Sequence, residues 1–253
     1  MPCAYCGSSG SLTREHIWPK WLHEFEDHQL KYNFAADKVM PDQQVIRDVC
    51  AICNNGPLSR LDEYARKLYI SYFTKEYKIA RMLRLRYDYE LLSKWLLKIA
   101  YNSARASSAP DIDILKMFSP YIINDNCIPI NIIISVGLLG NFITFNKNTG
   151  TRKVIEIRWN RSGILKLTPS QSVSYSARMV SMNSWAFNIV VPLDVSNTWF
   201  SHDDVKWALP GRLLSTDSRS IRPPTIRTDP EGILHHYRDK FHLYDEAAQK
   251  LRR

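Results

Sequence analysis

Two Cys-x-x-Cys pairs, Cys3 with Cys6 and Cys50 with Cys53, constrain this chain more than any other feature. Each pair can present two thiolates from one tight turn, and two such knuckles together make the tetrahedral four-sulfur site of a structural zinc ion. The 43 residues between the knuckles exceed the usual ribbon spacing, so a sizeable insert is expected between them. The N-terminal stretch has little periodic apolar patterning of its own, so the metal is expected to supply much of its stability. Cys127, the fifth cysteine, lies in an apolar segment and reads as a small core residue. Met1-Pro2-Cys3 carries no basic n-region followed by an apolar h-region, so a cytoplasmic protein is expected. In that reducing compartment paired cysteines serve as metal ligands rather than as disulfides.

Outside the knuckles the chain reads as ordinary folded protein. Leu58, Leu61, Tyr64, Ala65 and Leu68 recur at helical spacing after Pro57, which suits a first helical turn. A core helix is predicted from Asp88 to about Ala106, with Leu91, Leu92, Trp95, Leu96, Ile99 and Ala100 on one face and Lys94 and Lys98 off it. A shorter helix follows Pro110 through Phe118. Then β-branched and aromatic residues dominate at 128–136, 141–145, 154–159, 173–182 and 184–191, and turn signals separate the first three. An antiparallel sheet beside the helices is predicted. Ser215 to Glu231 reads as an irregular connector and Leu234 to Leu251 as a helix. The most apolar stretch, Ile128 to Leu139, contains Pro129, Asn131 and Ser135 and is too short to span a bilayer, so no membrane partner is expected. The tryptophans, among them Trp159, Trp185, Trp199 and Trp207, are expected to fill the core.

Between the knuckles runs Leu12-Thr13-Arg14-Glu15-His16-Ile17-Trp18-Pro19-Lys20-Trp21, and Asn54-Asn55 follows Cys53 directly. An acidic residue before His, a Pro three positions later, and a CxxC frame whose last Cys precedes Asn closely resemble the HNH endonuclease family. The resemblance covers residues 1–66. It implies a ββα-metal module, a β-hairpin and helix around a catalytic ion, with zinc on Cys3, Cys6, Cys50 and Cys53 clamping its ends. It makes His16, at the end of a strand, the general base, and Glu15 with Asn54 the ligands of one divalent ion, with Asn55 the fallback. The chain departs from the commoner pattern by Glu for Asp at position 15, by Asn for His at 54, and by Pro57-Leu58 where a Trp-Met pair is frequent. Asn33 is the only Asn between His16 and Cys53, so the usual buttressing Asn has no clear counterpart. The fold class implied is α+β: the zinc-bound module, then a helical segment and a mainly antiparallel β domain over 67–253, whose role in substrate choice, oligomerisation or regulation is open.

The residue chemistry is consistent with that resemblance. Hydrolysis of a phosphodiester needs a water deprotonated near neutral pH, the range in which histidine titrates. It also needs a Lewis acid near the leaving oxygen. Carboxylate and amide oxygens suit a hard ion, Mg²⁺ first and Mn²⁺ as a substitute. A formal charge of +9 favours a polyanionic partner. On family grounds that partner is DNA rather than RNA, and defence against phage or mobile elements fits such an architecture. Arg14 and Lys20 flank His16 and are candidate phosphate contacts. Lys75, Lys78, Arg81 and Arg84 form a basic stripe at three-residue spacing, and Arg212, Arg219, Arg222 and Arg227 form a second cluster. Double-strand cutting would need two active sites and hence a homodimer. His235, His236, Asp239 and His242 read as ordinary residues of the last helix. Two other readings stay open: a zinc module that binds nucleic acid or a partner protein without cutting, and an effector whose second domain senses a small signal and releases the nuclease.

Overall fold

Strand β1 (Leu12–His16) pairs antiparallel with β4 (Val45–Cys50), Leu12 opposite Cys50 and His16 opposite Val45, with a register slip between Thr13 and Glu15. The computed structural model describes residues 1–25, 30–33, 38–41, 45–74, 83–124, 132–140, 142–145, 152–155, 160–165, 174–194 and 211–226. The insert between β1 and β4 carries its own antiparallel pair, β2 (Leu30–Asn33) and β3 (Lys38–Pro41). Helix α1 (Ala51–Cys53) follows β4 without a linker and leads through a wide turn at Asn54–Leu58 into α2 (Ser59–Leu68). Gly56 leaves helical geometry there, at φ −97° and ψ −106°, just ahead of Pro57. Leu58, Leu61, Ala65 and Leu68 are buried and Tyr64 is half-buried, as their helical spacing requires.

After β5 (Leu85–Arg86), helix α3 (Tyr89–Ala106) begins at Asp88, whose carboxylate accepts the Leu91 N–H at 3.0 Å. This helix is the axis of the molecule. It packs against α2, β4, α4 (Ile112–Lys116), α5 (Ser119–Ile123) and three strands of the large sheet. Because it is surrounded, its polar residues are buried as well: Lys94 is 2 % exposed and Lys98 0 %. Off the apolar face, each lysine is nonetheless buried and charge-paired, Lys94 with Glu90 and the Asn124 carbonyl, and Lys98 with Asp62 and Glu15.

The remaining strands are β6 (Ile133–Leu139), β7 (Phe142–Phe145), β8 (Arg152–Ile155), β9 (Asn160–Ile164), β10 (Tyr175–Met182), β11 (Trp185–Pro192), β12 (Arg212–Leu213), β13 (Ser220–Ile221) and β14 (Thr225–Ile226). The main sheet runs β12-β6-β11-β10-β9, antiparallel throughout, with β14 added parallel to β6. Strands β7 and β8 form a hairpin apart, so the run of turn signals after β6 does not make one meander. The β10–β11 hairpin turns at Asn183, φ 49°, a conformation Asn tolerates. Its side-chain amide donates to the Phe73 carbonyl at 2.8 Å.

Both faces of the sheet are covered, which explains the nearly unbroken apolar runs of β6 and β11. Trp185, Phe187, Ile189 and Val191 alternate onto the α3 side, while Ala186 and Val190 join Ile133, Leu139, Met179 and Ile226 on the other. The first of these cores is continuous from Cys3 to Ile221 and runs across residue 66. Trp185 fills it as expected, while Trp159, Trp199, Trp207, Cys127 and the 234–251 segment lie outside the described residues. Among the described residues no helix is long and apolar enough to cross a membrane.

One buried ion pair fastens α4 to the sheet. Arg178 on β10 meets Asp111 with two bonds of 2.6 Å, Nε to Oδ2 and Nη2 to Oδ1, and both side chains are under a tenth exposed. Removing one member strands the other charge in the core. Asp111→Ala should therefore cost about 3–5 kcal/mol in urea unfolding, more than the paired change Asp111→Ala with Arg178→Met.

Candidate metal centre

The first knuckle is shaped by its backbone. The Gly7 N–H donates to the Cys3 carbonyl and the Cys3 N–H to the Ser8 carbonyl, both at 2.9 Å, with Gly7 at φ 71°, a left-handed conformation that glycine adopts without strain. Ala4 then donates to the Asp48 carbonyl at 2.8 Å, which ties the turn to β4. The second knuckle straddles an element boundary: Cys50 ends β4 and Cys53 ends α1. Pairing Leu12 with Cys50 brings the two knuckles together across the strand pair.

The four Sγ atoms lie within 4.8 Å of one another, and Cys6 to Cys50 is 3.7 Å. Four sulfurs at about 2.3 Å from one zinc ion stand about 3.8 Å apart along each tetrahedral edge. None of the four is in a disulfide. Soft thiolate donors in this number and spacing fit zinc, and the residues present suit that ion. Ser8 prepares one of them: its side chain and backbone hydrogen-bond to Cys6 and bring that thiol down to about 6. Cys50 is also lowered, chiefly by the backbone of Cys53, and its own N–H donates to Cys3 Sγ at 3.3 Å. Burial pushes Cys53 up.

The other candidate residues sit along β1 and the start of α1. Glu15 and His16 are adjacent on a strand and so point to opposite faces. Glu15 faces inward and is 4 % exposed, whereas His16, the last residue of β1, is half-buried and Arg14 is exposed. The Asn54 amide reaches back to β1, its Nδ2 donating to Thr13 Oγ1 at 2.8 Å and to the Arg14 carbonyl at 3.0 Å. Asn55 and Lys20 are exposed. Of the basic stripe only Arg84 falls among the described residues, and it is exposed; Lys75, Lys78 and Arg81 lie outside them, as do Arg227 and the histidines near the C-terminus.

Sequence reasoning missed what surrounds Glu15. Its Oε1 takes the Lys98 ammonium at 2.8 Å and the Asn102 amide at 3.1 Å. Lys98 also grips both oxygens of Asp62, at 2.7 and 2.6 Å, and the Trp95 indole donates to Oδ1 of the same carboxylate. Burial by itself would lower the Lys98 pKa, but the attraction of Asp62 and Glu15 outweighs it and holds the ammonium above the usual lysine value. Asn102 carries the network on to Tyr5, between the two cysteines of the first knuckle, whose hydroxyl donates at 2.6 Å. Arg105 stacks over Tyr5 and Tyr101 and pairs with Asp48 at 2.9 Å. The cysteine cluster is thus bolted to α3 through buried polar contacts. The only sequence signal for this was a lysine within an otherwise apolar helical run.

No protein-family model, curated protein or solved structure matches the chain. What the residues themselves define is a mixed α and β protein with mostly antiparallel sheets and a four-cysteine cluster suited to zinc.

Proposed function

We propose that this chain is a zinc-stapled endonuclease of the HNH kind that hydrolyses phosphodiester bonds in DNA. The observation that carries the reading is the path from β1 through β4 into α1. The Glu15-His16 pair ends the first strand, the helix begins directly after the second, and Asn54 at that junction is hydrogen-bonded to the backbone just ahead of Glu15. In this reading His16 takes the proton of the attacking water, its half-buried position keeping it within reach of solvent. Asn54, whose Nδ2 is engaged on β1, and the carboxylate of Glu15 are the residues that would hold a divalent ion. A bound Mg²⁺ or Mn²⁺ would supply charge stabilisation at the leaving oxygen. Lys98 already neutralises Glu15, so this carboxylate would have to be shared between the ammonium and any ion it helps to hold. Arg14 and Lys20, exposed on either side of His16, would take flanking phosphates.

The same Lys98 contact favours a second reading, a zinc module that binds nucleic acid without cutting, because it gives Glu15 a structural task that needs no catalytic ion. The two readings differ in one assay. Wild type should convert supercoiled plasmid to nicked or linear DNA with Mg²⁺ or Mn²⁺ and not with EDTA, and His16→Ala should lose at least about a hundredfold of that rate. Equal cutting by both proteins, or none by the wild type, sinks the nuclease reading.

A further inference from the structure

Apart from the cysteine cluster, the chain builds a depression of about 510 Å³ that the nuclease reading leaves unused. Arg84, Arg212 and Arg222 line it together with Ser215, Ser218 and Ser220. They come from segments more than 120 residues apart in sequence, brought together by β5 pairing with β13, Arg86 opposite Ser220, and by β12 on the edge of β6. The frame is fixed by backbone contacts. The Tyr87 hydroxyl bridges the N–H and the carbonyl of Ser215, each at 3.1 Å, and the Tyr87 N–H donates to the Arg219 carbonyl at 3.0 Å. Gly211, at φ 123°, lets the chain reach β12 where any Cβ would lie 2.8 Å from the Val136 carbonyl oxygen.

Among the described residues none of these three guanidiniums has a carboxylate partner, and all three are exposed. Asp217, midway between Arg212 and Arg222, accepts instead from the Thr216 hydroxyl, and the Ser215 side chain accepts from the Asp217 N–H, while Asp88, four residues after Arg84, caps the Leu91 N–H. Like charges gathered around one depression repel, and an anion seated among them relieves that cost. Guanidinium forks and serine hydroxyls are the donors that phosphate oxygens take. The lining has no exposed aromatic ring on which a base could stack, since Tyr87 is 5 % exposed and its hydroxyl is already engaged. Exposed Arg86 and Arg219 continue the positive surface beyond it.

We infer that the Arg84, Arg212 and Arg222 depression seats backbone phosphates of duplex DNA, outside residues 1–66 and without reading bases. The inference rests on the reading of the chain as a DNA-acting protein and adds a second contact to it. Binding of a fluorescein-labelled 30-base-pair duplex, followed by anisotropy in EDTA from about 50 to 200 mM salt, tests it. Arg84→Ala with Arg212→Ala and Arg222→Ala should weaken binding roughly tenfold or more at the lower salt. It should also flatten the plot of log affinity against log salt by about 0.9 for each phosphate that is no longer neutralised. Lys67→Ala with Lys116→Ala, which removes charge elsewhere on the surface, should change neither. Arg222→Glu alone should give the same direction, which keeps the test alive if the triple variant melts early. Wild-type affinity and slope in the arginine variants overturn the inference. So does a depression that binds inorganic phosphate or AMP, by calorimetry, in a protein that does not bind the duplex. Because EDTA removes turnover, a failure here is distinct from a failure of His16→Ala to lose cutting.

Discussion

Cys50→Ser with Cys53→Ser should abolish the fold of the N-terminal module, and elemental analysis should show zinc falling from one per chain to near zero. The size of the effect follows from coupling of metal binding to folding, which in small four-ligand zinc units is worth about 10–16 kcal/mol, more than the whole stability of most domains. The spacing of the sulfurs suits a zinc ion, with all four within 4.8 Å of one another and 3.7 Å between Cys6 and Cys50 against about 3.8 Å for a tetrahedral edge. Because the core is continuous from Cys3 to Ile221, the damage should spread: Tyr5, Val49 and Leu58 pack in the same cluster as Trp95 and Tyr101 of α3. A single cooperative melting transition in the wild type, lost in the variant, is the expected record. A zinc-free wild type with an unchanged melt would remove the basis for this prediction.

Lys98→Met should be the most damaging single substitution away from the cysteines. Its ammonium is wholly buried and serves two carboxylates, buried Glu15 and half-buried Asp62, so its loss leaves both acids without their shared counter-charge. Breaking one buried pair typically costs about 3–5 kcal/mol, and here two are broken at once. The pH dependence has a definite sign. The folded pKa of Lys98 is raised above the ordinary value of 10.5, so the ammonium's contribution is fully present below that pH and is lost only as pH climbs through the folded value. The stability gap between wild type and Lys98→Met, measured by urea unfolding, should therefore stay level from about pH 7 to 10 and narrow above. A gap that is already absent at about pH 8 would contradict the pairing. Glu15→Gln in the Lys98→Met background should recover part of the loss, since it removes one of the stranded charges.

The cysteine clamp was legible in the sequence because thiolate chemistry needs only residue type and close spacing, and the strand pairing of Leu12 with Cys50 supplies the rest. Helix α3 and its Asp88 cap could be read for the same reason, since periodicity and capping are local. The fate of Lys94 and Lys98 could not. A helical wheel assigns polar residues to solvent, and only the packing of α2, α5 and the sheet around α3 turns them inward. Sheet order was hidden likewise: β6 pairs with β11, some 50 residues on, and the Asn160–Ile164 strand, Asn-Arg-Ser-Gly-Ile, has no apolar alternation to announce it. The arginine depression joins Arg84 to Arg212 and Arg222 through β5 and β13, two strands of two residues each, too short to be read from sequence.

At the candidate site itself, the unequal footing of the residues matters. The four cysteines stand on the closeness of their sulfurs, while the roles of His16, Glu15 and Asn54 rest on the proposal alone. In the proposed mechanism zinc holds the frame and takes no part in cutting. The most direct test compares plasmid cleavage by wild type and by His16→Ala with Mg²⁺ present, both preparations carrying one zinc per chain and melting at the same temperature. Cutting by the wild type and its loss in the variant is the expected result; equal cutting by two equally folded, equally zinc-loaded proteins would contradict His16 as the base.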